Sequence, residues 1–250
     1  KLGRALIIDN AAIVVSDGKI IGFGKKSEVI RRFDGIKCDL GGAVVTPGLV
    51  DAHTHLVFAG TREDEFEMRI LGRTYLDIAK SGGGILSTVR ATRMASKKIL
   101  YDSAFVRVKK MLEHGTTAFE AKSGYGLRLK DEQKQIDTAC ALRKDFDCEI
   151  AITFLGAHAV PEGHDRRGYL KQVMKMIARI KGVEFCDVFC DRGAFTVEEG
   201  ARILSFARKF GLRGKVHADE FTSCGGAELA VSCGAISADH LLKVSKRGIE

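Results

Sequence analysis

The stretch Thr46-Pro47-Gly48-Leu49-Val50-Asp51-Ala52-His53-Thr54-His55 decides the fold, because it joins a short apolar segment to a His-x-His pair. An apolar run of this length predicts a β-strand. Side chains two residues apart lie on the same face of a strand, so both imidazoles can reach one ion at about 2.0 to 2.1 Å. Two exposed histidines at a strand end would give the same pattern. The stretch therefore predicts a strand that ends at a candidate metal site.

From residue 44 onward, apolar runs of strand length alternate with stretches of helical periodicity. Ala104, Val108 and Leu112 fall on one helical face, and Thr196 with Glu199 forms a capping-box pattern that starts another helix. This alternation predicts βα units on a parallel sheet. The six predicted strands lie at about 44–50, 116–121, 149–156, 184–190, 214–218 and 235–239.

A parallel sheet of this kind either closes into a barrel or stays open. No glycine fingerprint of the dinucleotide-binding type follows the first strand, which disfavours the open, doubly wound sheet. We therefore predict an α/β protein with a (βα)8-type barrel, of which residues 44–250 supply about six βα units. Residues 1–43 form a small N-terminal β-unit with a hairpin marker at Asp17-Gly18. The chain is thus expected to be truncated at both ends.

Two further histidines fall at the predicted ends of other strands. His217 ends the fifth strand and opens the sequence His217-Ala218-Asp219-Glu220, and His240 ends the sixth. In a barrel the C-terminal ends of all strands face one mouth. His217 and His240 would therefore lie beside the His53-Thr54-His55 segment, which favours a site over packing.

The residue types predict the chemistry of this site. Three neutral imidazoles suit zinc or iron, and a catalytic site keeps a further position for water. We assign His53, His55 and His217 as the metal ligands. Glu220 is the candidate proton carrier, against the interpretation of a solvated loop carboxylate. His240 is assigned to polarise the substrate carbonyl or the water, although it could also be a ligand.

Composition excludes several other classes of protein. With 45% apolar and 29% charged residues among 250, the chain is expected to be globular. No segment approaches about 18 consecutive apolar residues and no secretory signal is recognisable, so we predict a cytoplasmic protein without membrane contact. The seven cysteines contain no CxxC pair. The net charge of +8 is spread over predicted helices, which disfavours nucleic-acid binding but could attract an anionic small molecule.

The arrangement of these histidines resembles the amidohydrolase superfamily. Its members carry His-x-His after the first barrel strand, histidines after strands five and six, and a metal-binding Asp after strand eight. The resemblance implies that residues 1–43 are part of a β-sandwich and that the missing Asp would lie beyond Glu250. The fourth predicted strand, residues 183–190, has no lysine of the kind that bridges two metals in some members. The resemblance therefore implies a single divalent ion.

Within this superfamily, the chain is most similar to the branch that opens the imidazolone ring in histidine breakdown. The resemblance implies that Arg62, Tyr125 and His158 contact the substrate, whose carboxylate suits an arginine. Taken singly, each could be a solvated, packed or capping side chain. Family members commonly form homodimers, so a homodimer is expected. The matching segments are residues 58–62, 82–85, 87–93, 122–127, 154–161, 187–190, 217–220 and 237–240.

The function that the resemblance implies is hydrolysis of 4-imidazolone-5-propionate to N-formimino-L-glutamate by a metal-activated water. In this scheme His240 stabilises the oxyanion and Glu220 relays a proton to the leaving nitrogen. A sister amidohydrolase that deaminates guanine or cytosine would share the one-metal plan. A metal-binding fragment without catalytic activity is the alternative from another class, since the expected Asp is missing.

Overall fold

A computed structural model describes residues 6–74, 77–78 and 82–250. The chain divides into two compact units, Lys1–Pro47 and Gly48–Glu250. The division follows Pro47, and the assignment of residues 1–43 to a β-sandwich stays a prediction. No helix among the described residues combines the length and the apolar character needed to cross a membrane.

The first unit contains the predicted hairpin. Strands β1 (Ala11–Ser16) and β2 (Lys19–Lys25) pair antiparallel, and helix α1 (Lys26–Arg32) follows. Both turn residues have left-handed backbone, with φ of 53° at Asp17 and 71° at Gly18. A two-residue hairpin turn of type I′ requires this conformation at both positions, and Asp-Gly adopts it readily. The hairpin predicted at Asp17-Gly18 is therefore confirmed.

The second unit is built on a parallel sheet of six strands in sequential order. Each predicted strand of the barrel is found, which confirms the α/β fold class with about six βα units. Because all six strands run in parallel, their C-terminal ends lie at one edge of the sheet. The strands are β3 (Leu49–Asp51), β4 (Thr116–Lys122), β5 (Glu149–Ala157), β6 (Phe185–Cys190), β7 (Arg213–Ala218) and β8 (Ser237–His240).

The first barrel strand is shorter than predicted. The expected range was 44–50, but β3 begins at Leu49, whose N–H donates to the Gly115 carbonyl at 2.8 Å. Pro47 has no N–H to contribute to a ladder. At Gly48 the backbone approaches Thr117 so closely that a Cβ would lie 1.9 Å from the threonine Oγ1. The strand therefore starts only after these two residues.

Helices follow the strands and cover the sheet. Ala104 and Val108 of one helix are fully buried, as their periodicity predicts. Thr196 and Glu199 form the predicted capping box. The helices are α2 (Glu63–Ile70), α3 (Ile85–Met94), α4 (Lys97–Glu113), α5 (Leu129–Asp145), α6 (Arg166–Ile177), α7 (Val197–Arg208), α8 (Gly226–Ser232) and α9 (Lys246–Ile249).

Candidate metal centre

The His53-Thr54-His55 segment lies just beyond β3 but is fixed against neighbouring strands. The Lys122 N–H at the end of β4 donates to the Thr54 carbonyl at 2.9 Å, and the Thr54 hydroxyl donates to the Glu120 carbonyl. The Lys215 ammonium donates to the Ala52 carbonyl at 3.3 Å. These bonds extend the strand direction past its last ladder residue, so both histidines are held at the edge where the strands end.

The structure brings the four predicted histidines together. The His53 ring centroid lies 4.5 Å from that of His217 and 4.7 Å from that of His240. The Nε2 atoms of His55 and His217 are 3.3 Å apart. Residues from β7, β8 and the segment after β3 therefore meet at one rim, as the strand ends predicted.

The ligand atoms form two sets of three that share His217. One set contains His53, His217 and His240, and the other contains His55, His158 and His217. Within each set the ligand atoms lie within 4.8 Å of one another. The predicted ligands His53 and His55 thus fall in different sets, each with His217. Their assignment as joint ligands stays a prediction.

The imidazoles of His55, His158, His217 and His240 are held in the neutral form that a metal requires. Burial lowers the pKa of His55 well below its usual value, lowers that of His217, and brings that of His158 to about 3. Burial and the nearby His217 bring the pKa of His240 to about 4. The Nδ1 of His55 is buried without a hydrogen-bond partner among the described residues. Neutral nitrogen donors and this unsatisfied atom fit a divalent metal ion.

Two aspartates contact the outer ring nitrogens of these histidines. The Asp239 Oδ2 lies 2.7 Å from the His53 Nδ1, and the Asp187 Oδ2 lies 2.9 Å from the His217 Nδ1. Asp187 is fully buried in β6, and Asp239 pairs with His217 in the ladder of β7 and β8. Carboxylates in this position select the tautomer that leaves Nε2 free for an ion. Their role was not predicted from the sequence, although a charged residue within the apolar β6 was a usable signal.

A buried ionic cluster lies beside the histidines. The Lys122 ammonium contacts Asp187 at 2.6 Å, Glu120 at 2.8 Å and Asp239 at 3.2 Å. Lys215 contacts Glu120 at 2.8 Å. We call these five residues the ionic cluster. The cluster was not predicted, because nothing in the sequence shows which charged side chains of β4 and β7 point inward.

Glu220 and His240 face each other at the rim. The Glu220 Oε2 lies 3.6 Å from the His240 Nε2. Burial and the negative charge of Asp191 raise the pKa of Glu220. A half-buried carboxylate with a raised pKa, next to a neutral imidazole, is suited to exchange protons near neutral pH.

Two other aspartates fix the loop that carries Glu220. Asp191 accepts hydrogen bonds from the Phe221 N–H at 2.7 Å and from the Thr222 hydroxyl at 2.6 Å. Asp219 accepts four backbone N–H bonds from residues 224–227, at 2.9 to 3.1 Å. Glu220 is therefore flanked on both sides by residues with a fixed position.

Tyr125 and His158 adjoin the histidines. The Tyr125 ring lies 5.3 Å from the rings of both His55 and His158. The His158 Nδ1 is 3.0 Å from the Gly124 carbonyl, and its Nε2 has no hydrogen bond within the described part of the chain. Glu132 of α5 holds the loop of Tyr125 by accepting N–H bonds from Gly124, Gly126 and Leu127 at 3.0, 2.8 and 2.6 Å.

Arg62 lies immediately before α2, and its guanidinium is engaged by a carboxylate. Its Nε and Nη2 atoms contact the Glu65 Oε2 at 2.8 and 2.6 Å. Glu65 is buried and also accepts the Gly84 N–H at 2.8 Å. A substrate carboxylate would have to share or replace this pairing, so the substrate role of Arg62 stays a prediction.

The family model for the amidohydrolase family matches residues 44–245 of the chain. The chain belongs to the amidohydrolase family, and membership implies a divalent metal for which the histidines are candidate ligands. It is similar to imidazolonepropionases, with 45% identity to that of Geobacillus thermodenitrificans, 47% to that of Geobacillus kaustophilus and 44% to that of Clostridium tetani. The first two alignments cover 100% of the chain and 61% of the relative, and the third covers 98% and 60%.

Solved structures show the same fold at low sequence identity. A 5-methylcytosine deaminase from Klebsiella pneumoniae liganded with phosphonocytosine aligns with a TM-score of 0.60 and 15% identity, over 89% of this chain and 53% of that chain. A mutant of the atrazine chlorohydrolase TrzN from Arthrobacter aurescens, complexed with zinc and atraton, aligns with a TM-score of 0.53 and 14% identity, over 89% and 50%. These likenesses support the barrel fold.

Proposed function

We propose that the protein hydrolyses the cyclic amide of 4-imidazolone-5-propionate to N-formimino-L-glutamate, a step of histidine degradation. The observation that carries the proposal is the convergence of His53, His55, His217 and His240 beside Glu220 at one rim. The chain spans 61% of the length of the two Geobacillus imidazolonepropionases, and its similarity to them supports this choice of substrate.

We assign one divalent ion, zinc or iron, to His53, His55 and His217. A bound ion would supply a nucleophile from water at neutral pH and would polarise the substrate carbonyl. Both metals accept neutral imidazole nitrogen, and lowered pKa values keep His55 and His217 in that form. His217 belongs to both sets of histidines, so it is the ligand on which either arrangement depends.

Glu220 and His240 are assigned the proton transfers. Water adds its oxygen to the ring carbonyl carbon, the bond from that carbon to the ring nitrogen breaks, and one proton of the water moves to the nitrogen. Glu220 accepts this proton as a carboxylate and delivers it to the leaving nitrogen. His240 is neutral at pH 7 because its pKa is about 4, and it donates an N–H bond to the developing oxyanion.

Arg62, Tyr125 and His158 are assigned to substrate binding. Tyr125 and His158 present a hydroxyl and a free ring nitrogen near His55, where a small polar ring can be held. Arg62 offers a guanidinium for the propionate carboxylate, in competition with Glu65. Formation of a homodimer and a cytoplasmic location stay predictions.

The test is an assay of the purified full-length protein with imidazolone propionate and, separately, with cytosine and guanine. Ring opening with formation of N-formimino-glutamate and no ammonia supports the proposal. Ammonia release from cytosine or guanine would instead identify a deaminase. A metal content near one ion per chain without turnover of any of these compounds would favour a binding protein.

A further inference from the structure

Lys122 is the one lysine that contacts both aspartates beneath the candidate metal site, among the residues that the structure describes. It is the last residue of β4, and it is 1% exposed. Its ammonium lies 2.6 Å from the Asp187 Oδ2 and 3.2 Å from the Asp239 Oδ2. The same two oxygen atoms contact the Nδ1 atoms of His217 and His53 at 2.9 and 2.7 Å. One cation thus links two carboxylate and imidazole pairs.

We propose that Lys122 is a positioning residue that orients His53 and His217 toward the metal by fixing the carboxylates of Asp239 and Asp187. This inference rests on the proposed metal site. The fixed carboxylates favour the tautomer with hydrogen on Nδ1, so the Nε2 lone pairs of both rings face the ion. Lys122 itself contacts neither the metal nor the substrate in this arrangement.

The charges in the ionic cluster explain why a lysine is required at this position. Glu120, Asp187 and Asp239 are three carboxylates around one ammonium, and the second ammonium, that of Lys215, pairs with Glu120. Without Lys122, the two aspartates would repel each other and lose the partner that fixes their rotamers. The attraction of Asp187 and Glu120 outweighs the effect of burial and raises the pKa of Lys122, so the ammonium stays charged.

The position of Lys122 also bears on the number of metal ions. His53, Glu120 and Asp239 form a third group of side chains that could hold a cation. The Lys122 ammonium already contacts two of these three side chains, at 2.8 and 3.2 Å. A fixed internal cation therefore takes the place of a second metal ion at the acidic end of the site.

The test is the metal affinity of the full-length protein, measured by competition with a chelator for Zn²⁺. We expect Lys122→Met to weaken Zn²⁺ binding by about 10- to 100-fold, the usual effect of removing an outer partner of a metal ligand. The control is Lys134→Met, which removes a partly buried ammonium that pairs with Asp131 at 3.3 Å outside the ionic cluster. Lys134 donates to the backbone carbonyls of residues 92, 93 and 95 and contacts none of the candidate ligands among the described residues, so we expect a change of less than about threefold.

The visible spectrum of the Co²⁺-loaded protein provides a second measurement, because it reports the ligand geometry around the ion. We expect Lys122→Met to change this spectrum and Lys134→Met to leave it unchanged. If Lys122→Met does not fold, Asp187→Asn and Asp239→Asn test the same connection, and each should weaken Zn²⁺ binding by about 10-fold.

Equal Zn²⁺ affinity and equal Co²⁺ spectra for Lys122→Met and the unmodified protein would overturn the inference. Equal losses for Lys122→Met and Lys134→Met would also overturn it, since they would indicate a general effect of removing a buried charge. Failure of the proposed function has a different signature: the unmodified protein would bind Zn²⁺ with the expected dependence on Lys122 but would not open the imidazolone ring.

Discussion

Carboxylates support the candidate site in two different ways. In the ionic cluster, Asp187 and Asp239 contact charged Lys122 and the ring nitrogens of the histidines. In the loops beyond the strands, Glu132 and Asp191 accept hydrogen bonds from backbone N–H groups. The carboxylates that contact the histidine rings lie on strands, and the carboxylates that accept backbone N–H bonds hold loops.

The difference separates two requirements of the site. Metal ligands need a fixed ring orientation and tautomer, and buried opposite charges provide both. Substrate-binding and proton-carrying residues need a fixed loop conformation, and a carboxylate that gathers several N–H groups provides that. Substitutions of Lys122, Asp187 or Asp239 should therefore change metal affinity, and substitutions in the loops should change catalysis or substrate binding while the metal remains.

The largest effect is expected at His217, because both sets of candidate ligands include it. We expect His217→Ala to lower Zn²⁺ affinity by more than about 100-fold, beyond the loss for an outer partner, and to abolish ring opening. Metal content after dialysis and chelator competition measure the effect. His164→Ala is the control, since His164 lies in an exposed loop, and it should keep its metal. Full metal content in His217→Ala would remove this residue from the ligands.

Glu220→Gln tests the prediction that a substitution in a loop changes catalysis while the metal remains bound. We expect kcat to fall by about 100- to 10,000-fold, because an amide cannot accept and return a proton. Metal content and the thermal unfolding midpoint should stay near those of the unmodified protein. Retained ring-opening activity would exclude Glu220 as the proton carrier. Loss of the metal would instead indicate that Glu220 contributes to metal binding.

The sequence was sufficient to predict what depends on local pattern. All six strands and the Asp17-Gly18 hairpin were found, and five of the strands lie within two residues of the predicted ranges, because apolar periodicity and turn residues determine them. The convergence of His53, His217 and His240 followed from the rule that parallel strand ends share one edge.

The ionic cluster could not be predicted, because it depends on side-chain direction and on contacts far apart in sequence. Lys122 and Asp187 are 65 residues apart, and Lys122 and Asp239 are 117 residues apart. Whether a strand residue points into a barrel depends on register and on β-bulges, which the sequence does not reveal. The start of β3 was predicted too early in the chain for a local reason, since Pro47 and Gly48 precede the strand and are not part of it.

Glu132→Gln should have a smaller effect, confined to substrate binding and stability. The Glu132 Oε1 accepts the N–H groups of Gly126 and Leu127, and its Oε2 accepts the N–H group of Gly124. The side-chain NH2 of a glutamine would therefore face at least one backbone N–H group, and two donors cannot form a hydrogen bond. We expect a loss of about 1 to 3 kcal/mol in the free energy of unfolding, together with a raised KM caused by displacement of Tyr125.

Denaturant unfolding and steady-state kinetics measure these changes for Glu132→Gln. Glu113→Gln, at an exposed carboxylate of α4, is the control and should alter neither. An unchanged KM in a destabilised Glu132→Gln protein would show that the loop of Tyr125 does not contribute to substrate binding.

The smallest effect is a shift of the pH profile in Asp191→Asn. Burial and the charge of Asp191 raise the pKa of Glu220, so removal of that charge lowers this pKa. If Glu220 acts as a carboxylate, the acidic limb of kcat/KM follows its pKa and should move to lower pH by less than about one unit. An asparagine oxygen can still accept the Phe221 N–H, so the loop keeps its main support while its charge changes.

The pH dependence of kcat/KM measures the shift in Asp191→Asn, and Asp137→Asn on the exposed side of α5 should leave the profile unchanged. A shift to higher pH would contradict the electrostatic role of Asp191, because removing a negative charge can only ease ionisation of a neighbouring carboxyl. In the described part of the chain, Asp191 contacts the loop and none of the histidines. A loss of metal in Asp191→Asn would therefore contradict the distinction between carboxylates that orient the histidine rings and carboxylates that hold the loops.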